Sequence, residues 1–547
     1  MNKNVKYILI LTVLCYFYFF FGNNLFSLTS PDEVFYVQTA KEMLANNTWM
    51  TPILFDSPQF EKPVFIYWLL RSAFLIFGIN SFSVRFFPAL FGFIGIITVY
   101  FFAKLLFKEE KKAFLSSLVL LSSCLYIGLA RTVFTDMVFS VFILLSLFSF
   151  YCGYLDQRRK GLGILFFFIF SALAVLTKGP LGLIIPLAII VVFLILARRI
   201  KFIFCKYTLW GLVIFSAIAL PWYILMTVKY GNGFIHEFFY NDHYRRLIVA
   251  EHRRHDTWYF YPLTTLGCMF PWSFFVITAL FYFFRSKNLT NTSNLFLACW
   301  IVVTFFIFQI ARSKLTSYIF PLFGGLAIIS GGFIYDMIID KARRKQFFAI
   351  SGALWFIFLL ILICTIAALF KFSYYLSSLW PAYLLVFIFM LWLVIAIFNF
   401  INKRALAIFY MFVLFLPVFM SIIPFIYKDA EPYFSSKYAC DYLLKNYSLD
   451  KNAYLLCSKD FARGTRFYTD MKIAVFAPDG GNYFSPHPIP VLDASAKTEE
   501  FLRQQPVTYG FLKESSLDDL KGVMGEDLEL QVLNKIGNEY IIKIQSK

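Results

Sequence analysis

Residues 379–400 read LWPAYLLVFIFMLWLVIAIFNF, twenty-two positions without one Asp, Glu, Lys or Arg. At 1.5 Å per residue such a helix is about 33 Å long, enough to cross a hydrocarbon core of about 30 Å. In that core a helix satisfies its own backbone groups, which an isolated loop cannot do. Similar runs recur at 5–26, 82–107, 113–130, 133–154, 162–177, 180–197, 207–228, 261–284, 292–311, 317–335, 348–370 and 405–427, giving about thirteen predicted spans. Across 547 residues, 60% are hydrophobic and 15% charged, with a mean hydropathy of +0.70. That composition excludes a cytosolic enzyme, a secreted scaffold and a nucleic-acid binder together. The first run follows Lys3 and Lys6 and meets no small-residue cleavage site before Asn23, so it is expected to remain as an uncleaved span.

The net charge of +18, from 50 basic and 32 acidic residues, reads through the topology. With the N-terminus inside, the loops at 108–112, 158–160, 198–206, 285–287, 341–345 and 403–404 share one side, and each is short and basic, as the positive-inside rule requires. Residues 428–547 then lie outside. Seven of the nine cysteines sit in or beside apolar runs, where a thiol is a small hydrophobe; only Cys440 and Cys457 lie in polar sequence, and their pairing is open. Strand-like runs at 453–456, 473–476, 507–512 and 540–544 alternate with amphipathic stretches at 437–445 and 516–523, which predicts a small α/β domain. The segment 480–490 reads as a loop, with His487 on the surface.

The outer face holds two long polar loops, 27–81 and 229–260, and turns that each present a base: Arg131, Lys178, Arg312 with Lys314, and Lys371. Snorkelling accounts for any one of them. A set of bases against the topological grain, with acids and histidines, points instead to a site for an anionic group such as a lipid phosphate. In Ser30-Pro31-Asp32-Glu33 a capping box uses Ser30 and Glu33 and leaves Asp32 at a helix N-terminus, ionised and able to accept a proton from an acceptor hydroxyl. Glu61-Lys62 sits between Pro58 and Pro63, ahead of an apolar helix over 64–77; it reads as an interfacial anchor or as part of a site. His236, His243, His252 and His255 fall within the second outer loop, where a histidine and a carboxylate can hold a divalent cation, although their spacing fits no zinc signature. Lys178-Gly179-Pro180 and the stretch Arg312-Ser313-Lys314-Leu315-Thr316-Ser317-Tyr318, together with Lys62, supply charge that stabilises a leaving phosphate.

Asp32-Glu33, Phe60-Glu61-Lys62-Pro63, the stretch from Asn80 through Arg85 to Pro88, Thr177-Lys178-Gly179-Pro180, His255 through Trp258, Pro271-Trp272, and Ser313-Lys314-Leu315 through Tyr318 to Pro321 occur in one order over most of 30–321. In these pieces the sequence resembles the bacterial lipid A aminoarabinose transferases and the wider protein O-mannosyltransferase-like group of membrane glycosyltransferases with the GT-C fold. The resemblance implies a GT-C type α-helical polytopic membrane protein with a C-terminal extracytoplasmic α/β domain. It divides the chain into a transmembrane glycosyltransferase domain, 1–427, including both outer loops, and a periplasmic domain, 428–547, at the bacterial inner membrane. It implies a polyprenyl-phosphate-linked sugar donor, no nucleotide, and an outer-face site. By the same resemblance Asp32 lies at the reaction centre with Glu33 beside it, and Lys62 contacts the lipid phosphate with Lys178, Arg246 and Tyr318 as helpers. Glu61 and His255 belong to a divalent metal site, with the register between His252 and His255 open. The leading expectation is transfer of an amino sugar from undecaprenyl phosphate to lipid A or another surface glycan among membrane lipids, with no nucleic acid involved. Two others stand beside it: a protein acceptor for the same donor, and a lipid-linked sugar transporter, which would carry its charges at mid-membrane in internal repeats.

Overall fold

The computed structural model describes the chain apart from residues 1–2, 30, 251–252, 287–289, 374–375, 451 and 479–488. Ser30, His252 and His487 therefore lie outside the described residues, as does most of the loop expected at 480–490. Two compact units emerge: Met1–Phe21 with Arg85–Ile423, and Gly22–Val84 with Pro424–Lys547. The sequence division places 27–81 with the spans; the packing groups it with the C-terminal domain, because the buried Glu42 and the exposed Asp56 find a shared partner there. Arg466 reaches Glu42 at 3.4 Å and Asp56 at 2.7 Å, and Glu42 also accepts from Phe55 N, Asp56 N and Gln38 Nε2.

Among the described residues of the chain, nine helices are long and apolar enough to cross a membrane, and three bent pairs raise the number to twelve. The sixteen-residue apolar helix Leu181–Leu196 matches the remaining predicted span. Two expectations change in the helical unit. The span predicted over 261–284 is two helices, Phe260–Cys268 and Ser273–Arg285, bent by 119°. Pro271 offers no N–H to continue the first helix, and the buried Trp272 bonds Ser122 Oγ at 3.0 Å through its indole N–H. The outer loop expected at 229–260 is helical in its first part: helix Lys206–Ile235 breaks at Gly231, where φ is 55°, and the helical path resumes through His236–Arg245 and Arg246–Ile248. Phe234 and Phe238 are buried there against Trp222, at ring distances of 5.6 and 6.2 Å, so the segment after the break folds back onto the helix before it.

Small residues let helices approach closely. A Cβ on Gly163 would stand 2.6 Å from Ser149 O, so helix Lys160–Lys178 meets helix Thr135–Leu155 through backbone.

In the second unit, helices Asp32–Ala45 and Phe65–Phe77 flank a two-stranded hairpin, β1 (Ile53–Leu54) and β2 (Ser57–Pro58). The C-terminal sheet comprises β3 (Tyr454–Ser458), β4 (Lys472–Phe476), β5 (Val491–Leu492), β6 (Val507–Leu512), β7 (Leu528–Ile536) and β8 (Glu539–Ser546). Their order is β5-β4-β3-β6-β8-β7, parallel from β5 to β6 and antiparallel at β8 and β7. Leu456, Ala474, Phe476, Leu512, Leu520 and Ile542 form its core. The four expected strands are present; the two-residue β5 is one addition and β7 is the other. It is a half-exposed strand joined to β8 by Gly537-Asn538, with Gly537 at a φ of 59° that favours glycine. Cys440 and Cys457 are buried free thiols, and burial pushes Cys457 up to about 12.

Candidate active site

One group of charged side chains in the helical unit meets where Lys178 ends its helix. Its Nζ lies 2.5 Å from Asp136 Oδ1, in the first turn of helix Thr135–Leu155, and 4.5 Å from the centre of the Tyr318 ring. Arg246 donates to the Tyr318 hydroxyl at 2.8 Å and pairs with the buried Asp242 at 3.2 Å. Tyr318 thus joins both cations through its face and its edge oxygen. Gly179, at a φ of 98°, turns the chain after Lys178, and a Cβ there would run into the His243 imidazole. Glycine is needed at that position for both reasons.

A second group adjoins this one in sequence. Arg312 N and Ser313 N donate to Leu247 O and Arg246 O at 3.2 and 3.0 Å, which pins the 312–318 stretch against the end of the long helix. Lys314, only 4% exposed, bonds Asp256 at 2.9 Å, and its carbonyl lies 3.2 Å from His255 Nδ1. Four cations (Lys178, Arg246, Arg312, Lys314) face three carboxylates (Asp136, Asp242, Asp256), leaving one positive charge in excess with the histidines neutral. Paired cations of this kind are fixed in place before an anion arrives.

Of the predicted residues in this unit, Lys178, Arg246 and Tyr318 come together, while His255 belongs with Lys314. Arg131 takes the bland role, since its guanidinium bonds the carbonyls of Tyr18 and Phe21 at 3.1 and 2.9 Å. Asp136 and Asp242 were missed. A lone carboxylate at the end of an otherwise apolar span was the available signal for Asp136.

In the other unit Asp32 is exposed at the start of its helix. Glu33 is fully buried and accepts from Thr29 N at 3.0 Å and Thr29 Oγ1 at 3.3 Å. The reach-back expected of a capping box is made, but to Thr29. Lys62 Nζ donates to Glu61 O at 2.9 Å, and Glu61 N to Gln59 Oε1 at 3.0 Å, so the motif is a tight half-buried turn. Among the described residues no three His, Cys, Asp or Glu side chains gather to hold a metal ion. The described residues thus offer Glu61 and His255 no complete ligand set.

Residues 4–235 match the family described as dolichyl-phosphate-mannose-protein mannosyltransferase. An uncharacterised protein of Aquifex aeolicus is 31% identical over 68% of this chain and 71% of its own length. An undecaprenyl phosphate-alpha-4-amino-4-deoxy-L-arabinose arabinosyl transferase of Erwinia tasmaniensis is 30% identical over 60% of this chain. The match takes in 59% of that transferase's length. The crystal structure of ArnT from Cupriavidus metallidurans bound to undecaprenyl phosphate superposes with a TM-score of 0.77 over 99% of this chain and 98% of that one, at 17% identity. That likeness establishes the fold, a polytopic helical membrane protein of the GT-C type. The chain belongs to the protein O-mannosyltransferase-like family of integral membrane glycosyltransferases.

Proposed function

We propose that this protein transfers an amino sugar from undecaprenyl phosphate to lipid A or another lipopolysaccharide acceptor at the outer face of the bacterial inner membrane, with 428–547 in the periplasm. The observation that carries the reading is the Lys178–Asp136, Arg246–Tyr318 cluster at one end of the helical unit, in a fold shared with a transferase whose structure holds undecaprenyl phosphate.

In the reaction the acceptor oxygen attacks the anomeric carbon as the bond from that carbon to the phosphate oxygen breaks. The electron pair leaves with undecaprenyl phosphate. Lys178 and Arg246 answer the charge that develops on it, a role the motif resemblance also gives Lys62. An acceptor phosphate is already a nucleophile; an acceptor hydroxyl gives its proton to Asp32. The motif resemblance also gives Glu61 and His255 a divalent cation, and metal content of the purified chain against Glu61→Ala decides whether one is held. The family's description favours a second acceptor class, protein hydroxyls.

The test is mass spectrometry of lipid A from cells with and without the gene, complemented by Asp32→Asn or Lys62→Ala at equal expression. Loss of one sugar-sized increment in the deletion and both variants is expected. Unchanged lipid A overturns the acceptor, and intact-protein masses then examine the alternative.

A further inference from the structure

At the opposite end of the same helices lies a cavity of about 420 Å³. Helix Thr292–Ile310 leads toward Arg312 and Lys314 at one end and lines the cavity near the other, through Asn294 and Leu297. Helix Phe323–Ile339 starts just after Tyr318 and reaches the cavity at Asp336. Sixteen residues separate Asn294 from Ile310, about 24 Å along the axis, so the cavity and the transfer cluster occupy opposite membrane interfaces.

Three bases from three places in the chain converge on it: Lys112, Arg285 and Arg343. One carboxylate lines it, Asp336, 2.7 Å from Lys112. Arg343 stands 3.7 Å from Asp340 with both side chains about half exposed, a pair that binds weakly. Arg285 is exposed and contacts the Phe281 ring at 5.6 Å. Snorkelling explains one arginine at a helix end; it does not explain an open hollow of ligand size whose lining carries three bases against one carboxylate. The inner wall is apolar, with Phe107, Leu297 and Phe333, and the adjoining helix Ser273–Arg285 exposes Ile277, Phe281 and Phe284 along its length. An acyl chain has a surface to follow, which a soluble phosphate would not use.

We infer that Lys112, Arg285 and Arg343 form a binding site for the phosphate headgroup of an anionic phospholipid, in the leaflet opposite the transfer cluster. The inference requires only that the helical unit crosses a bilayer, and its readout is lipid retention, so it fails or stands apart from sugar transfer.

The experiment is native mass spectrometry of the full chain in detergent, titrated with phosphatidylglycerol, with phosphatidylcholine of the same acyl chains, and with glycerol 3-phosphate. One phosphatidylglycerol is expected to be retained in preference to either. Arg285→Gln with Arg343→Gln weakens that retention about five-fold for each charge removed, and Asp336→Asn strengthens it several-fold. Equal retention of the two lipids, glycerol 3-phosphate binding as tightly as phosphatidylglycerol, or no loss in the double variant overturns the assignment. Should the double variant fail to fold, Asp336→Asn decides, and no gain there also overturns it.

Discussion

Asp136 and Lys178 show how much a single pair settles. Both side chains are largely buried, at 7% and 14% exposure, and each neutralises the other. Asp136→Asn leaves an ammonium without its counter-ion and should lower stability by about 3–5 kcal/mol, seen as a fall in melting temperature in detergent. Adding Lys178→Met should recover the melting temperature while transfer stays lost, which separates the structural role of the pair from the phosphate role proposed for it. Glu539 is the converse case, a carboxyl buried at the start of β8 whose Oε2 has no hydrogen-bond partner among the described residues. Burial raises it to about 7 from an ordinary 4.5. The folded state therefore favours the protonated acid: its contribution is complete below pH 4.5 and is lost as pH rises to about 7. Glu539→Gln should flatten that dependence and stabilise the chain at pH 8 by up to about 3 kcal/mol, measured by thermal unfolding across pH. Lys178 and Tyr318 were legible as polar residues in short outer turns, whereas Asp136 is paired with a base 42 residues further on, a distance no local pattern spans.

At the scale of elements, apolar runs located the spans because lipid imposes one solution on any uncharged twenty-residue segment. Where the helix continues or breaks depends on side chains elsewhere. The helix from Lys206 breaks at Gly231, and the segment after it packs Phe234 and Phe238 back on Trp222, while the 261–284 stretch turns through 119° at Pro271. The crossing of helices Thr135–Leu155 and Lys160–Lys178 is set by Gly153 and Gly163, which stand backbone to backbone. Gly163→Leu should push these helices apart, reducing folded protein recovered from membranes, while Leu at the open position Gly128 should leave recovery unchanged; fluorescence-detected size exclusion reads both.

For the whole molecule, the short basic loops predict an orientation. Alkaline phosphatase fused after residue 547 should be active and fused after residue 404 inactive, giving at least a ten-fold contrast. The reverse result would place 428–547 inside and remove the outer-face reading. The grouping of 22–84 with 424–547 belongs to this scale as well: Arg466 is joined to Glu42 and Asp56 across more than 400 residues of sequence.

Sequence by itself determined that the chain spans a membrane, about how often, which side its bases favour, and that an α/β domain follows, because each depends on composition and period within a window of some twenty residues. Its short motifs also held the family and several of the bases. Only the tertiary structure decided that Lys178, Arg246 and Tyr318 meet, that Asp136 and Asp242 hold them, that Glu33 turns inward to Thr29, and that three further bases frame a cavity at the other interface. These depend on pairs of charges driven together by burial, and a buried charge takes its partner from wherever the fold brings one within reach.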